Sequence, residues 1–270
     1  MGRLEGKVAF ITGAARGQGR SHAVRLAEEG ASVIALDLCD QIPSVFYAMA
    51  TQEDLAETVR QVEATGGKIV ARVGDVRDRD QIEAAYTEGT GILGPVDIVL
   101  PNAGIMPTIR SGRQAWFDAI DVMLSGVFNV IDTVVHDMID RGAGGSIIIT
   151  SSTAGLTGLS KNIEPGSAGY VAAKHGVVGL MRMYAARLAP HSIRVNTLHP
   201  TGVNTPMIVN PEFGEFSAQH PEQVSRLWNP MPVDLVDPVD VSNAIVFLAS
   251  DDARYITGVA LPVDAGFLIR

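Results

Sequence analysis

The sequence predicts an α/β domain, a doubly wound parallel sheet with helices on both faces. Three observations predict it. Short β-rich runs alternate with longer helical patterns along the chain. Several of those runs are continuously apolar, as strands covered on both faces must be. A glycine-rich turn joins the first run to the first helical pattern.

The strand candidates are 8–12 (VAFIT), 32–36 (SVIAL), 69–73 (IVARV), 97–100 (DIVL), 146–150 (SIIIT), 193–198 (IRVNTL) and 260–263 (ALPV). Helical patterns fill 17–29, 53–65, 78–88, 114–138, 170–189 and 238–249. In the second of these, Leu55, Val59 and Val62 recur at helical spacing. Regular β-α-β alternation requires right-handed crossovers, which gives one Rossmann-type domain over residues 1–270. Its sheet is expected to be mainly parallel and seven-stranded. No linker or internal repeat divides the chain. Two stretches break the alternation: an insert at 38–52 (LCDQIPSVFYAMATQ) and a Pro- and Met-containing excursion at 201–235. Long loops at strand ends of such a sheet usually carry function, and the second reads as a substrate lid.

Composition narrows the classes. Hydrophobic residues make up 46% and charged residues 19% of 270, enough for a sizeable core. A net charge of −9 argues against sequence-independent nucleic-acid binding. The single cysteine, Cys39, excludes an internal disulfide framework and suits a reducing cytoplasm. It reads as a small residue after a buried strand rather than a nucleophile. The six histidines lack ligand spacing, so no metal site is expected. The N-terminus runs into a strand without a signal-like segment, and no apolar run approaches the ~18 residues of a membrane span.

The turn ITGAARGQGR places Gly13, Gly17 and Gly19 between strand and helix. A tight turn there lets the backbone approach a pyrophosphate, with the helix N-terminus supplying N–H groups. Asp37 ends the second strand, 18 residues after Gly19. A carboxylate there accepts from both adenosine-ribose hydroxyls and repels a 2′-phosphate, which favours NAD over NADP. Arg16, inside the loop, is the opposing signal, but an arginine can turn to solvent whereas an unpaired carboxylate beside a phosphate is costly. Asp75, after the third strand, either meets the adenine edge or caps the next helix.

A T-G-x-x-x-G-x-G turn, NAG at 102–104, a serine ending the fifth strand and Tyr170-x-x-x-Lys174 opening a helix occur in this order. Together they resemble the short-chain dehydrogenase/reductase family along essentially the whole chain. More narrowly, TGAARGQGRSHAVRLAEEGA, the insert after LDLC, TSSTAGL and HPTGVNTPM resemble its actinobacterial carveol-dehydrogenase-like branch, often called mycofactocin-associated. The resemblance implies an NAD(P)-dependent enzyme and a homotetramer. It implies that Thr12, Gly13, Gly17 and Gly19 frame the dinucleotide and that Asp75 and Val76 lie at the adenine. Asn102, Ala103 and Gly104 are implied beneath the adenosine ribose, and Thr205 at the nicotinamide amide. Pro101 replaces the first Asn of the family's usual NNAG, and Thr201 its usual Gly after proline. Neither change removes a reacting group.

A helix rises ~6 Å over four residues and nearly returns to the same face, so Tyr170 and Lys174 point the same way. A free tyrosine has a pKa near ~10, and a nearby ammonium and the nicotinamide charge are expected to favour its phenolate. Tyr170 then suits a general base for alcohol oxidation or an acid for ketone reduction. The family's lysine also bonds the nicotinamide ribose. Its serine matches Ser152, with Ser151 as the competing assignment, and would orient the substrate oxygen. The Ser152-to-Tyr170 interval is 18 residues, longer than the family's usual dozen or so, with LSKNIEPGS as a loop insertion.

One departure touches the chemistry. The family often places an asparagine in D-V-N-L-x-G, where it helps hold a proton-relay water. Here the pattern is DVMLSG, with Met123 at that position. A thioether is a weak acceptor and no donor. At ~100° per residue, Ser125 lies on another face and Asn129 ~240° around, so neither is an obvious substitute. Met207, Phe213, Phe216, Trp228 and Met231, with Met106 and Ile109, suggest either an apolar lid for a hydrophobic secondary alcohol or ketone, terpenoids included, or packing on a neighbouring subunit. The rival to a dehydrogenase is a dinucleotide-binding sensor or scaffold with impaired catalysis. The narrower resemblance adds a retained cofactor, reoxidised by an external redox carrier, with the insert covering it.

Overall fold

All seven apolar runs fold as strands, each within two residues of the range read from the sequence. They are β1 (Val8–Thr12), β2 (Ser32–Asp37), β3 (Ile69–Val73), β4 (Ile98–Leu100), β5 (Gly145–Thr150), β6 (Ile193–Pro200) and β7 (Ala260–Val263). The computed structural model describes residues 2–109, 112–158, 160, 162–224 and 228–269. Every strand pairing is parallel, in the order β3-β2-β1-β4-β5-β6-β7. The order reverses between β1 and β4, and the crevice beyond their C-terminal ends is where such sheets bind ligands.

The helices are α1 (Gly17–Glu28), α2 (Gln52–Ala64), α3 (Arg79–Leu93), α4 (Arg113–Ile120), α5 (Gly126–Arg141), α6 (Pro165–Leu188), α7 (Pro211–Gln219), α8 (Pro221–Val224) and α9 (Pro238–Ala249). Strand side chains alternate between two cores. Phe10, Ile34, Ile147 and Ile149 pack with α5 and α6, while Ile11, Val33 and Ile148 pack with α1 and α9. Each fully buried Ile, Leu or Phe contributes roughly 1.5–3 kcal/mol. In α2, Thr58 rather than Val59 takes the buried position. Its hydroxyl bonds the carbonyls of Ala14 and Ala15 below the glycine turn.

Three readings need correction. The expected helix 114–138 is two α-segments joined by a π turn, Asp121–Ser125, so regular angular spacing does not carry across Met123. That helical run, 113–141, contains an 18-residue window of mean hydropathy 1.4, apolar and long enough to cross a membrane. Half of the window is buried in the protein, with Val127, Val130, Ile131 and Val134 in the core. The third concerns α6, which starts at Pro165, so Tyr170 lies in its second turn rather than at its opening. PGS, read as the end of the loop insertion, lies in the helix, and glycines 166 and 169 serve close packing. A Cβ on Gly166 would lie 1.8 Å from the Pro107 carbonyl oxygen, and one on Gly169 3.0 Å from the Trp116 oxygen.

A buried histidine is expected to make the fold acid-sensitive. His22 is 0% exposed between α1 and α9. Ser242 donates to the Pro238 carbonyl, so its oxygen accepts from His22 Nδ1 at 2.8 Å. His22 Nε2 has no partner, and protonation would bury an unpaired N–H there. Burial pushes its pKa down to about 3. The unfolded chain takes up a proton near its ordinary ~6.5 while the folded chain does not, so stability is lost as pH falls from ~6.5 toward 3. Melting temperature measured from pH 7 to pH 4 should fall more steeply for the natural protein than for His22→Gln; parallel curves would remove His22 as the cause.

Candidate active site

The glycine turn folds as the sequence requires. Gly13 has φ +69°, and a Cβ there would lie 2.7 Å from Ala103 Cα. A Cβ on Gly19 would lie 2.0 Å from the Gly13 carbonyl oxygen. The loop therefore closes on itself and on the end of β4 only with hydrogens at both positions. No side chain caps the start of α1, which leaves its first N–H groups facing the cleft mouth for an anion. Gly13, Arg16, Gly17, Gly19, Asp37, Asp75, Val76, Asn102, Ala103, Gly104, Tyr170, Lys174 and Thr205 line one continuous cleft.

Thr12 is not on the cleft wall but braces it from behind. Its hydroxyl oxygen accepts from the backbone N–H of Asn102 (3.1 Å) and of Ala103 (3.2 Å). Asn102 returns a bond to the Thr12 carbonyl at 3.0 Å and accepts from Thr150 at 3.0 Å, tying together the ends of β1, β4 and β5.

Asp37 closes β2 with its carboxylate toward the cleft. It accepts from Ala15 N–H (2.9 Å) and Cys39 N–H (3.1 Å), while burial pushes its pKa up. A buried carboxylate with spare lone pairs fits a ligand bearing paired hydroxyls. The insert crosses the cleft beside it, with Leu38, Ile42, Tyr47, Met49 and Ala50 on the lining. Arg16 lines the cleft and donates to the Ala48 carbonyl, which pins the insert. Tyr47 Oη accepts from Met106 N–H at 3.3 Å, and Gln41 donates to the carbonyls of Ile42, Val45 and Tyr47. The sequence reading missed these insert contacts; the apolar run VFYAMA at 45–50 within the insert was the available signal. Asp75 does not cap α3. That role belongs to Asp78, while Asp75 accepts from Arg77 at 2.8 Å. Burial and Asp37 push the Cys39 thiol up to about 12, which disfavours its thiolate.

The strand-end serines separate by partner. Ser151 is buried and donates to the Lys174 carbonyl at 2.9 Å, a structural bond to α6. Ser152 instead lies beside Tyr170 and lowers its pKa, and its oxygen accepts from Ala154 N–H at 3.1 Å. Lys174 Nζ donates to the Thr150 carbonyl at 2.8 Å and sits 5.8 Å from the Tyr170 ring centre. Burial pushes Lys174 down to about 8, so it remains largely an ammonium at neutral pH. Burial pushes Tyr170 up, only partly offset by Ser152. In the protein alone desolvation therefore sets the direction, and the expected lowering by Lys174 is not among the influences on the tyrosine.

A family model described as enoyl-(acyl carrier protein) reductase matches residues 13–268. An uncharacterised oxidoreductase of Mycobacterium tuberculosis is 55% identical over 98% of this chain and 97% of its own length. The chain belongs to the short-chain dehydrogenase/reductase family. Among its family relatives, (−)-trans-carveol dehydrogenase of Rhodococcus erythropolis is 45% identical over the full length of both chains. The crystal structure of carveol dehydrogenase from Mycobacterium avium in complex with NAD matches with a TM-score of 0.92 and 45% identity, covering both chains completely. The family resemblance read from the motifs, and its narrower branch, are borne out.

Within this short-chain dehydrogenase/reductase frame, Met123 is 0% exposed in the π turn. Its sulfur and Lys174 Nζ each lie 3.8 Å from where a Gly104 Cβ would sit. Asn129 is occupied elsewhere, donating to the Val76 carbonyl at 3.0 Å. On the other side of Tyr170 lies a second cavity of about 760 Å³. Met106, Phe213, Trp228 and Met231 line it, as do Ser152 and the C-terminal Phe267, which had no sequence signal. Three of the expected wall residues go elsewhere. Met207 lines the first cleft, Ile109 packs at the core edge, and Phe216 stacks on His220 one helical turn on, 4.7 Å between rings. Leu159 and Lys161 of the loop insertion, and 225–227 of the lid, lie outside the described residues.

Proposed function

We propose that this protein interconverts an apolar secondary alcohol, terpenoids included, and its ketone, using NAD. The observation that carries the reading is Tyr170 on the wall shared by the glycine-turn cleft and the apolar cavity, with Ser152 and Lys174 beside it. The carveol dehydrogenases among its relatives support the substrate class, and the NAD complex of one of them supports the cofactor. Asp37 would accept from the adenosine-ribose hydroxyls and oppose a 2′-phosphate. The α1 N-terminus would hold the pyrophosphate, Asp75 and Val76 the adenine, and Thr205 the nicotinamide amide. Bound NAD supplies the hydride-accepting ring and its positive charge. Ser152 orients the substrate oxygen, Tyr170 takes the hydroxyl proton in oxidation and returns it in reduction, and the Lys174 ammonium favours the phenolate. The homotetramer and the external redox carrier belong to the same proposal.

A panel of secondary alcohols offered with NAD or NADP tests this directly. We expect NADH to form with apolar cyclic alcohols, and NADP to serve at least ~10-fold less well, the cost of a charge clash at Asp37. The second reading, a dinucleotide-binding sensor, is favoured by the buried Met123; it expects NAD binding without turnover on any alcohol. The Arg16-pinned insert supports cofactor retention. NAD that survives extensive dialysis would favour the carrier, and rapid exchange would count against it.

A further inference from the structure

We propose that His199 is a positioning residue that holds the Ser152 backbone in register under Tyr170. The inference rests on the reading of Ser152 as the group that orients substrate. The β5–β6 ladder runs out at this point. Thr150 pairs with Leu198, and Ser151 N–H donates to the Leu198 carbonyl at 2.8 Å. The following parallel-ladder bond would come from the amide of position 200, and Pro200 has no N–H. Ser152 therefore begins beyond the reach of the sheet, in extended backbone with φ −169° and ψ 163°.

A side chain takes over from the ladder. His199 Nδ1 lies 2.7 Å from the Ser152 carbonyl oxygen, and Nε2 lies 2.8 Å from Thr197 Oγ1. A carbonyl can only accept, so Nδ1 carries the proton and Nε2 accepts from the Thr197 hydroxyl. The ring is 0% exposed, and burial and the nearby Lys174 both disfavour its charged form. It therefore has one N–H to give, and that donor is committed to Ser152. The same carbonyl accepts Gly155 N–H at 2.9 Å, while Ser152 Oγ accepts Ala154 N–H and lines the same cavity as Tyr170. Ring, carbonyl and turn together fix the direction of the serine hydroxyl. Packing alone would be served as well by a leucine, without burying a polar ring.

His199→Leu removes the donor, while His199→Asn keeps an N–H at the Nδ1 position. In His199→Leu we expect kcat for alcohol oxidation to fall roughly tenfold to a hundredfold, as misplacement of an orienting group predicts. The Kd for NAD should stay within about twofold, and His199→Asn should recover most of the rate. In a Ser152→Ala background, His199→Leu should cost less than about twofold, because the two residues act as one unit. A purely structural role would lower melting temperature, NAD affinity and kcat together, equally in both backgrounds, and would overturn the proposal. Amide hydrogen exchange reads the inference without turnover. Ala154 and Gly155 should exchange faster in His199→Leu and recover in His199→Asn. If they respond while no alcohol is oxidised, the functional reading fails and the positioning stands. Unchanged exchange overturns the positioning whatever the turnover.

Discussion

Replacing Tyr170 by phenylalanine is expected to lower alcohol turnover by ~10²–10⁴ while leaving NAD affinity within a few fold. The substitution removes one oxygen and little else. The ring packs at the edge of the core, with the Lys174 ammonium 5.8 Å from its centre, and a phenyl ring keeps both contacts. What goes is the hydroxyl that meets Ser152, at the junction of the two cavities. The direction of the tyrosine shift adds a pH signature. Burial raises its pKa, so at neutral pH the phenol is protonated and ready to act as an acid. Ketone reduction should therefore run well near pH 7, while alcohol oxidation, which needs the phenolate, should climb as pH rises. Initial rates in both directions from pH 6 to pH 10 measure this. A phenylalanine variant that keeps more than about a tenth of the natural rate would remove Tyr170 from the proton step.

How much of this could be read in advance differs by element. Strands such as β1 and β5 were legible because both faces are covered, which leaves nearly continuous apolar runs. The glycine turn, Asp37 and the Tyr170–Lys174 pair were legible because a glycine spacing, a strand end and a four-residue helical spacing bring them to one cleft. The start of α6 was not, because PGS at 165–167 looks like a loop until Pro107 and α4 are seen packed against Gly166. Nor was the π turn: DVMLS continues a helical hydrophobic pattern, and one extra residue per turn leaves no mark in composition. The insert hid its role because its contacts are made across the cleft by Arg16 and by Met106 N–H, residues remote in sequence. His199 was invisible for the same reason. A lone histidine in a strand carries no signal until the carbonyl above it is located.

Lys174→Met is expected to abolish turnover and also to change how stability depends on pH. The ammonium is buried and donates to the Thr150 carbonyl, which leaves its remaining N–H groups for a ligand. Burial without a carboxylate partner lowers its pKa to about 8, below the ordinary ~10.4 of the unfolded chain. Between those values the unfolded chain holds a proton that the folded chain has lost. Unfolding then takes up a proton, so this group makes stability rise with pH across that window. Below pH 8 both states are charged and the folded protein bears the full cost of the buried ammonium, on the order of a few kcal/mol. Methionine fills a similar volume and does not titrate. Relative to the variant, the natural protein should gain stability steadily from pH 8 to pH 10.5 and show a constant difference from pH 6 to pH 7.5. Referring each melting temperature to the variant at the same pH cancels the tyrosines that ionise in the alkaline range. A difference that stays flat across the alkaline window would mean that Lys174 is not desolvated, and the electrostatic support it lends Tyr170 would then be weaker than the buried geometry implies.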